Sequence, residues 1–345
     1  MLEKNGIIDQ ALIEKSFHEN LEICSKLLAK AKNVVITSHI NPDGDALGCE
    51  LALYYYLTSK GAKVDILNYS PLPELYKFMD SDNIIRLYDS ALHDGIIAAA
   101  DTIIIPDLND VTRIKTLQKP VTESKAKKIV LDHHQEPREF ADLYIIDSDA
   151  SSAGEIIWQL LKMDKDYGMS QKAANALYLA IMTDTGCFRF PRTDSFVHSI
   201  IADLIEAGAD PVGGYEQVYN RISFGALKLL GEAFAGMEQY FDGRLCLMTL
   251  RREHFEKTGT NEDDVENFVE KTLSVNGAKV GILITELPGK SEIRMSFRSK
   301  EGYSIRELAL HFNGGGHSHA AGARVYDGDF ETVKREVLDR CKKLF

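Results

Sequence analysis

Six residues with the donor atoms of a metal site stand in the first 184 positions of the 345-residue sequence: His39, Asp43, Asp45, Asp107, His133 and Asp184. In His39-Ile40-Asn41-Pro42-Asp43-Gly44-Asp45, two aspartates flank a glycine beside a histidine, and they repel one another unless a cation lies between them. Asp132-His133-His134 directly follows the apolar pair Val130-Leu131, and Asp184 stands in Thr183-Asp184-Thr185-Gly186. Carboxylates mixed with imidazoles combine hard oxygen with borderline nitrogen, a set suited to Mn²⁺ and tolerable for Mg²⁺ or Co²⁺. The four negative charges balance two divalent ions. Two such ions ~4 Å apart stabilise both the attacking and the leaving oxygen of an in-line displacement at phosphorus. The chemistry expected is therefore hydrolysis of a phosphate ester.

Residues so far apart meet only if the elements before them end at one place. Residues 33–38 read as a buried strand and 46–60 as a helix closed by Gly61. Further strands are expected at 63–67, 102–105, 128–131 and 143–146, with helices between several of them. His39, Asp107 and Asp132 then all lie at strand exits, where the ligand site of an open parallel sheet forms. Asp184 ends an apolar helical or strand-like segment. Ser152-Ala153-Gly154-Glu155 predicts a capping box opening a helix through Lys162, and Asp147 and Asp149 just before it read as helix caps. Residues 1–32 form an amphipathic helical pattern. The fold class is α/β: a mostly parallel sheet sandwiched by helices, plus a smaller C-terminal α/β domain.

The expected domains are a catalytic one over 1–206, a linker and connecting helix over 207–240, and a substrate-binding one over 241–345. Within these, 207–214 breaks any regular pattern and 223–240 reads as helix. Strands follow at 244–250, 279–286 and 292–298, then a helix near 304–311 and a closing helix from Phe330. Ile293, Met295 and Phe297 alternate with Arg294, Ser296 and Arg298, so one strand face is apolar and the other carries two guanidiniums. Asn313-Gly314-Gly315-Gly316-His317 can expose successive backbone N–H groups as an anion-binding nest, beside which Arg298 is a candidate phosphate ligand. Arg189, just past Asp184, is a further candidate for substrate contact. Tyr54, Tyr55 and Tyr56 point in different directions from a helix and read as packing. His311 and His319 lack nearby carboxylates in sequence and are not assigned to a metal.

The bulk properties narrow the partners. Basic minus acidic residues is 40 − 52 = −12, which argues against long duplex DNA and leaves small or short anions as substrates. No apolar run approaches the ~20 residues of a membrane helix, and residues 1–32 lack the apolar centre of a signal peptide. The five cysteines are odd in number and scattered, so neither disulfides nor thiolate zinc sites are supported and a reducing cytoplasm is the expected setting.

Together, His39-x-x-x-Asp43-x-Asp45, Asp107, Asp132-His133-His134, Asp184 and Gly314-Gly315-Gly316-His317 resemble the DHH phosphoesterase superfamily. The likeness covers most of the chain, and the glycine-histidine motif is similar to that of the DHH-associated domain. By size and domain content the sequence resembles the bacterial nanoRNase/pAp phosphatases. These degrade very short oligoribonucleotides and remove phosphate from 3′-phosphoadenosine 5′-phosphate (pAp). The resemblance implies one metal on His39, Asp43 and Asp107 and a second on Asp45, Asp107, His133 and Asp184. His134 would face the scissile phosphate or leaving group, with Asp132 orienting the histidine pair. Arg298, Gly314, Gly315, Gly316 and His317 would bind the substrate's terminal phosphate or nucleotide across the cleft between the two domains, where the resemblance puts the active site. Asp110, three residues beyond Asp107, competes as a ligand. The runner-up activity is a stand-alone phosphodiesterase for cyclic di-AMP or its linear product pApA. A non-catalytic nucleotide sensor is the reading from another class, although every expected ligand type is present. A homodimer is a further expectation.

Overall fold

The computed structural model describes residues 10–316 and 318–345. The chain divides into two compact units, Met1–Asn220 and Arg221–Phe345, so the expected connecting stretch over 207–240 is shared between them.

The first unit runs α1 (Gln10–Leu28), β1 (Asn33–Ile36), α2 (Gly44–Ser59), β2 (Lys63–Asn68), β3 (Ile85–Leu87), α3 (Ser90–Ala99), β4 (Thr102–Pro106), α4 (Gln118–Glu123), β5 (Lys127–Asp132), β6 (Leu143–Ile146), α5 (Ala153–Lys162), α6 (Gln171–Asp184), α7 (Ser195–Glu206) and α8 (Pro211–Tyr219). Its strands are short Val/Ile/Leu runs because both faces are covered. Val34 and Ile36 pack into one core with Leu131 and the helices α2, α5 and α6, while Val35, Ile103 and Val130 pack into another with α3 and α4. All five pairings are parallel, in the order β3-β2-β1-β4-β5-β6. That order reverses direction between β1 and β4. The connections after these two strands leave on opposite sides and open a crevice at their carboxyl ends, the place where open α/β sheets bind ligands.

The second unit runs α9 (Phe224–Ala235), β7 (Glu238–Tyr240), β8 (Leu245–Leu250), α10 (Arg252–Thr258), α11 (Phe268–Thr272), β9 (Val280–Glu286), β10 (Glu292–Ser299), α12 (Arg306–His311), β11 (Gly315–Gly316), β12 (Ala320–Tyr326) and α13 (Phe330–Cys341). Its sheet, ordered β11-β12-β10-β9-β8-β7, is antiparallel except between β8 and β9. Ile293, Met295 and Phe297 are buried against α12 and α13, as their alternation predicts.

Several elements differ from the sequence expectation. The stretch after Ala207 is not irregular throughout: Pro211 opens α8, its missing N–H costing nothing at a first helical position, and the Asp210 carboxylate accepts from Gly213 N. The helix expected over 223–240 stops at Ala235 and gives way to β7. Strands β3 and β12 escape the periodicity, the first for its three residues and the second because Ala-Ala-Gly-Ala carries little strand propensity; β12 exists through its pairing with β10. Ser152 caps α5 by accepting from Glu155 N, but Glu155 turns back to Ser151 N and Oγ, so the reciprocal half of the box is missing. Asp147 does not cap that helix either; it closes an Asx turn on Asp149 N. Tyr56 is buried with its hydroxyl donating to Asp164, a packing role as expected. Among the described residues no helix is long and apolar enough to cross a membrane.

Candidate metal centre

His39 leaves β1 and Asp107 leaves β4, the two strands at the crevice, and their Nε2 and Oδ2 atoms stand 3.2 Å apart. The His39 ring donates from Nδ1 to the Ile40 carbonyl at 2.9 Å, which leaves Nε2 as the electron-pair donor facing the site. Asp43 is the N-cap of α2: its Oδ1 accepts from the amides of Asp45 and Ala46, so its other oxygen is left for a further partner. Asp45, 1% exposed, lies across the first turn of α5, taking Ala153 N on Oδ2 and Gly154 N and the Cys49 thiol on Oδ1. The positive end of α5 therefore orients and partly neutralises this carboxylate.

Helix α6 delivers Asp184 because α2 lets it come close. A Cβ on Gly44 would lie 2.5 Å from the Thr183 side chain, and one on Gly48 would lie 2.3 Å from the Ala176 carbonyl oxygen. Only glycine fits at this helix crossing, and it brings the last residue of α6 to the first turn of α2. At the exit of β5, His133 Nε2 stands 3.4 Å from Asp184, 3.7 Å from Asp107 and 3.9 Å from Asp45. His134 donates from Nδ1 to Asp132 Oδ1 at 2.8 Å, and Asn109 holds the following backbone through the carbonyls of His134 and Gln135.

The donor atoms fall into groups that could each hold a cation: His39, Asp43 and Asp107; Asp45, His133 and Asp184; and Asp107 with Asp132, His133 and His134. Asp107 Oδ1 and Asp132 Oδ2 are buried without any hydrogen-bond partner. Burial, then mutual repulsion, pushes Asp45 and Asp107 well above the usual carboxylate range, and the same causes raise Asp184 to about 6. Burial, followed by the neighbouring His134, lowers His133 to about 4, whereas the bond to Asp132 raises His134 to about 9. Crowded acids with orphaned oxygens beside a neutral imidazole are what divalent cations bind, so the residues fit a metal.

The other candidates make local contacts of their own. Asp110 caps the turn that follows, accepting from Thr112 N and Oγ1 and pairing with Arg138, which removes it as a rival to Asp107. Arg189 is exposed and donates to the Gly186 carbonyl. Arg298 lies 3.7 Å from Glu270 and donates to the Phe297 carbonyl. The glycine cluster is not a free nest: Gly315 and Gly316 form β11 against Gly322 and Ala321, and Cβ atoms on Gly314 or Gly316 would strike β12 backbone at 2.1 and 2.5 Å. His317 lies outside the described residues. Sequence reasoning missed Cys49, Asn109 and Arg113, the last a cation whose charge reaches His134. None of them sits at a spacing that marks it.

Residues 33–181 match the DHH family, N-terminal domain, and residues 242–344 match the DHHA1 domain. The chain is 28% identical to the bifunctional oligoribonuclease and PAP phosphatase NrnA of Bacillus subtilis, over 90% of this chain and 95% of that one. It is 25% identical to the protein of the same name from Thermus thermophilus, covering 96% of each. Among solved structures, an exopolyphosphatase-related protein from Bacteroides fragilis superposes with a TM-score of 0.84 at 31% identity, over 95% of this chain and 97% of that one.

Proposed function

The chain belongs to the DHH family of phosphoesterases, and from that membership we propose that it hydrolyses short oligoribonucleotides to mononucleotides and dephosphorylates pAp to AMP. The observation that carries the reading is the position of Asp107. Its Oδ2 faces His39 while its Oδ1 faces His133 at 3.7 Å, so one carboxylate reaches both donor groups. In this reading His39, Asp43 and Asp107 would hold one divalent ion, and Asp45, His133 and Asp184, with Asp107 shared, would hold a second, Mn²⁺ being the metal the donor set suits. Such a pair supplies charge stabilisation at both oxygens of an in-line displacement.

The chain's own groups do the rest. Asp132 accepts the Nδ1 proton of His134 and keeps that ring protonated, so Nε2–H is presented to the scissile phosphate or the leaving oxygen. The amides of α5 and the Asp43 cap hold two carboxylates in fixed orientation before substrate arrives. Arg298, Gly314, Gly315, Gly316 and His317 are the groups proposed to take the substrate's terminal phosphate or nucleotide, and Arg189 is a further candidate for substrate contact. All five cysteines are unpaired, which suits a reducing cytoplasm.

Product analysis with Mn²⁺ tests this, presenting pAp, a 5′-phosphorylated RNA dinucleotide, a five-nucleotide RNA, cyclic di-AMP and pyrophosphate in parallel. Mononucleotides from the short RNAs, with phosphate from pAp, are expected, and chelation should stop both until Mn²⁺ is returned. Preferential opening of cyclic di-AMP would overturn the substrate assignment. Nucleotide binding without turnover under any metal would make the protein a sensor.

A further inference from the structure

Beneath the metal centre lies a buried carboxyl group that the mechanism above does not use. Glu50 on α2 is fully buried, and its Oε2 accepts from Asn68 Nδ2 at 2.8 Å. Asn68, the last residue of β2, is 1% exposed and passes the contact on, its Oδ1 accepting from the Ser38 amide at 3.2 Å. Ser38 in turn donates from Oγ to the Pro106 carbonyl at 2.8 Å. Ser38 and Pro106 immediately precede His39 and Asp107, so this chain of contacts ties the ends of β1, β2 and β4 together directly below the pair whose side chains meet at 3.2 Å.

We propose that Glu50 is a positioning residue for the metal centre: acting through Asn68 and Ser38, it sets the spacing of His39 and Asp107. The inference rests on the reading of these two residues as metal ligands. A role in stability alone does not account for Glu50. Its Oε1 has no hydrogen-bond partner, and a buried polar atom left unsatisfied costs free energy that an aliphatic side chain of similar size would not. Burial also pushes the Glu50 carboxyl up to about 8, so at neutral pH it adds no charge to a site already crowded with acids. A neutral acid that accepts one hydrogen bond braces the strand ends without competing for the cation.

The test is calorimetric titration of the full chain with Mn²⁺, comparing wild type with Glu50→Gln, Glu50→Leu and Ser38→Ala, alongside thermal unfolding in chelator. Glu50→Gln keeps an acceptor for Asn68 and is expected to bind Mn²⁺ within about twofold of wild type. Glu50→Leu and Ser38→Ala should each weaken binding about tenfold, the loss of one buried hydrogen bond at the site, with the leucine variant unfolding no earlier than wild type. Wild-type Mn²⁺ affinity in Glu50→Leu overturns the inference and leaves the metal reading standing. Failure of the wild type itself to bind Mn²⁺ overturns both. If Glu50→Leu does not fold, Ser38→Ala decides by the same criterion.

Discussion

Asp107 occupies a left-handed backbone position, φ 54°, where Asp and Asn are the side chains that settle most readily after glycine. The choice of substitution follows from that. Asp107→Asn keeps the conformation and nearly the volume while removing the charge, and should abolish Mn²⁺-dependent turnover with the unfolding midpoint in chelator unchanged or higher; normal turnover would take Asp107 out of the site. Glu50 gives a second prediction at this scale. Its folded-state pKa, about 8, lies above the ordinary 4.5, so between those values the folded protein holds a proton that the unfolded chain releases. Stability is therefore lost as pH rises through that window, by up to ~1.4 kcal/mol per unit. Glutamine does not titrate, so in chelator the unfolding midpoint of Glu50→Gln should gain on wild type from pH 5 to 8, and parallel curves would refute it.

At the scale of elements, the centre depends on how tightly α2 and α6 cross. Gly48 admits no methyl group, its Cβ position lying 2.3 Å from the Ala176 carbonyl and 2.8 Å from Ala180 Cβ. Gly48→Ala should push the helices apart at a cost of about 1–3 kcal/mol and draw Asp184 away from His133, seen as a lower melting temperature together with a weakened Mn²⁺ affinity. Gly95 is the control, an exposed mid-helix glycine in α3 with nothing within 4 Å of its Cβ position. Gly95→Ala should stabilise the protein by about 0.5–1 kcal/mol and leave metal binding untouched. Equal behaviour of the two variants would remove the crossing as the device that places Asp184.

For the whole molecule, the division of labour between the two units is the proposal to test. Among the described residues, the groups that could hold a cation all come from the first unit, and the candidate substrate groups Arg298, Gly314, Gly315, Gly316 and His317 come from the second, with Arg189 in the first. His317→Ala should raise KM for oligonucleotides about tenfold, as expected for one lost charge-assisted contact, with Mn²⁺ content unchanged by metal analysis. A fall in bound metal instead would place His317 with the catalytic cluster.

Much of the site was legible in the chain because its residues stand at strand exits, and a short apolar run ending in Asp or His marks such an exit directly. His39, Asp107 and Asp132 were placed that way, and β1, β4 and β5 end where the apolar runs do. Residue types and spacing also picked out an Asp and His cluster, which the fold gathers into groups compatible with a metal site. What the sequence could not supply is pairing. The reversal of strand order between β1 and β4 that sets His39 beside Asp107, and the glycine-lined crossing that brings in Asp184, are long-range contacts. So are the α5 amides on Asp45 and the Glu50–Asn68–Ser38 contacts below it. No local pattern encodes them, since partners far apart in the chain, such as Asp45 and Ala153 or Gly44 and Thr183, are chosen by burial and hydrogen-bond satisfaction in the assembled core. The same reason hid β12, whose small residues become a strand only once β10 offers its edge.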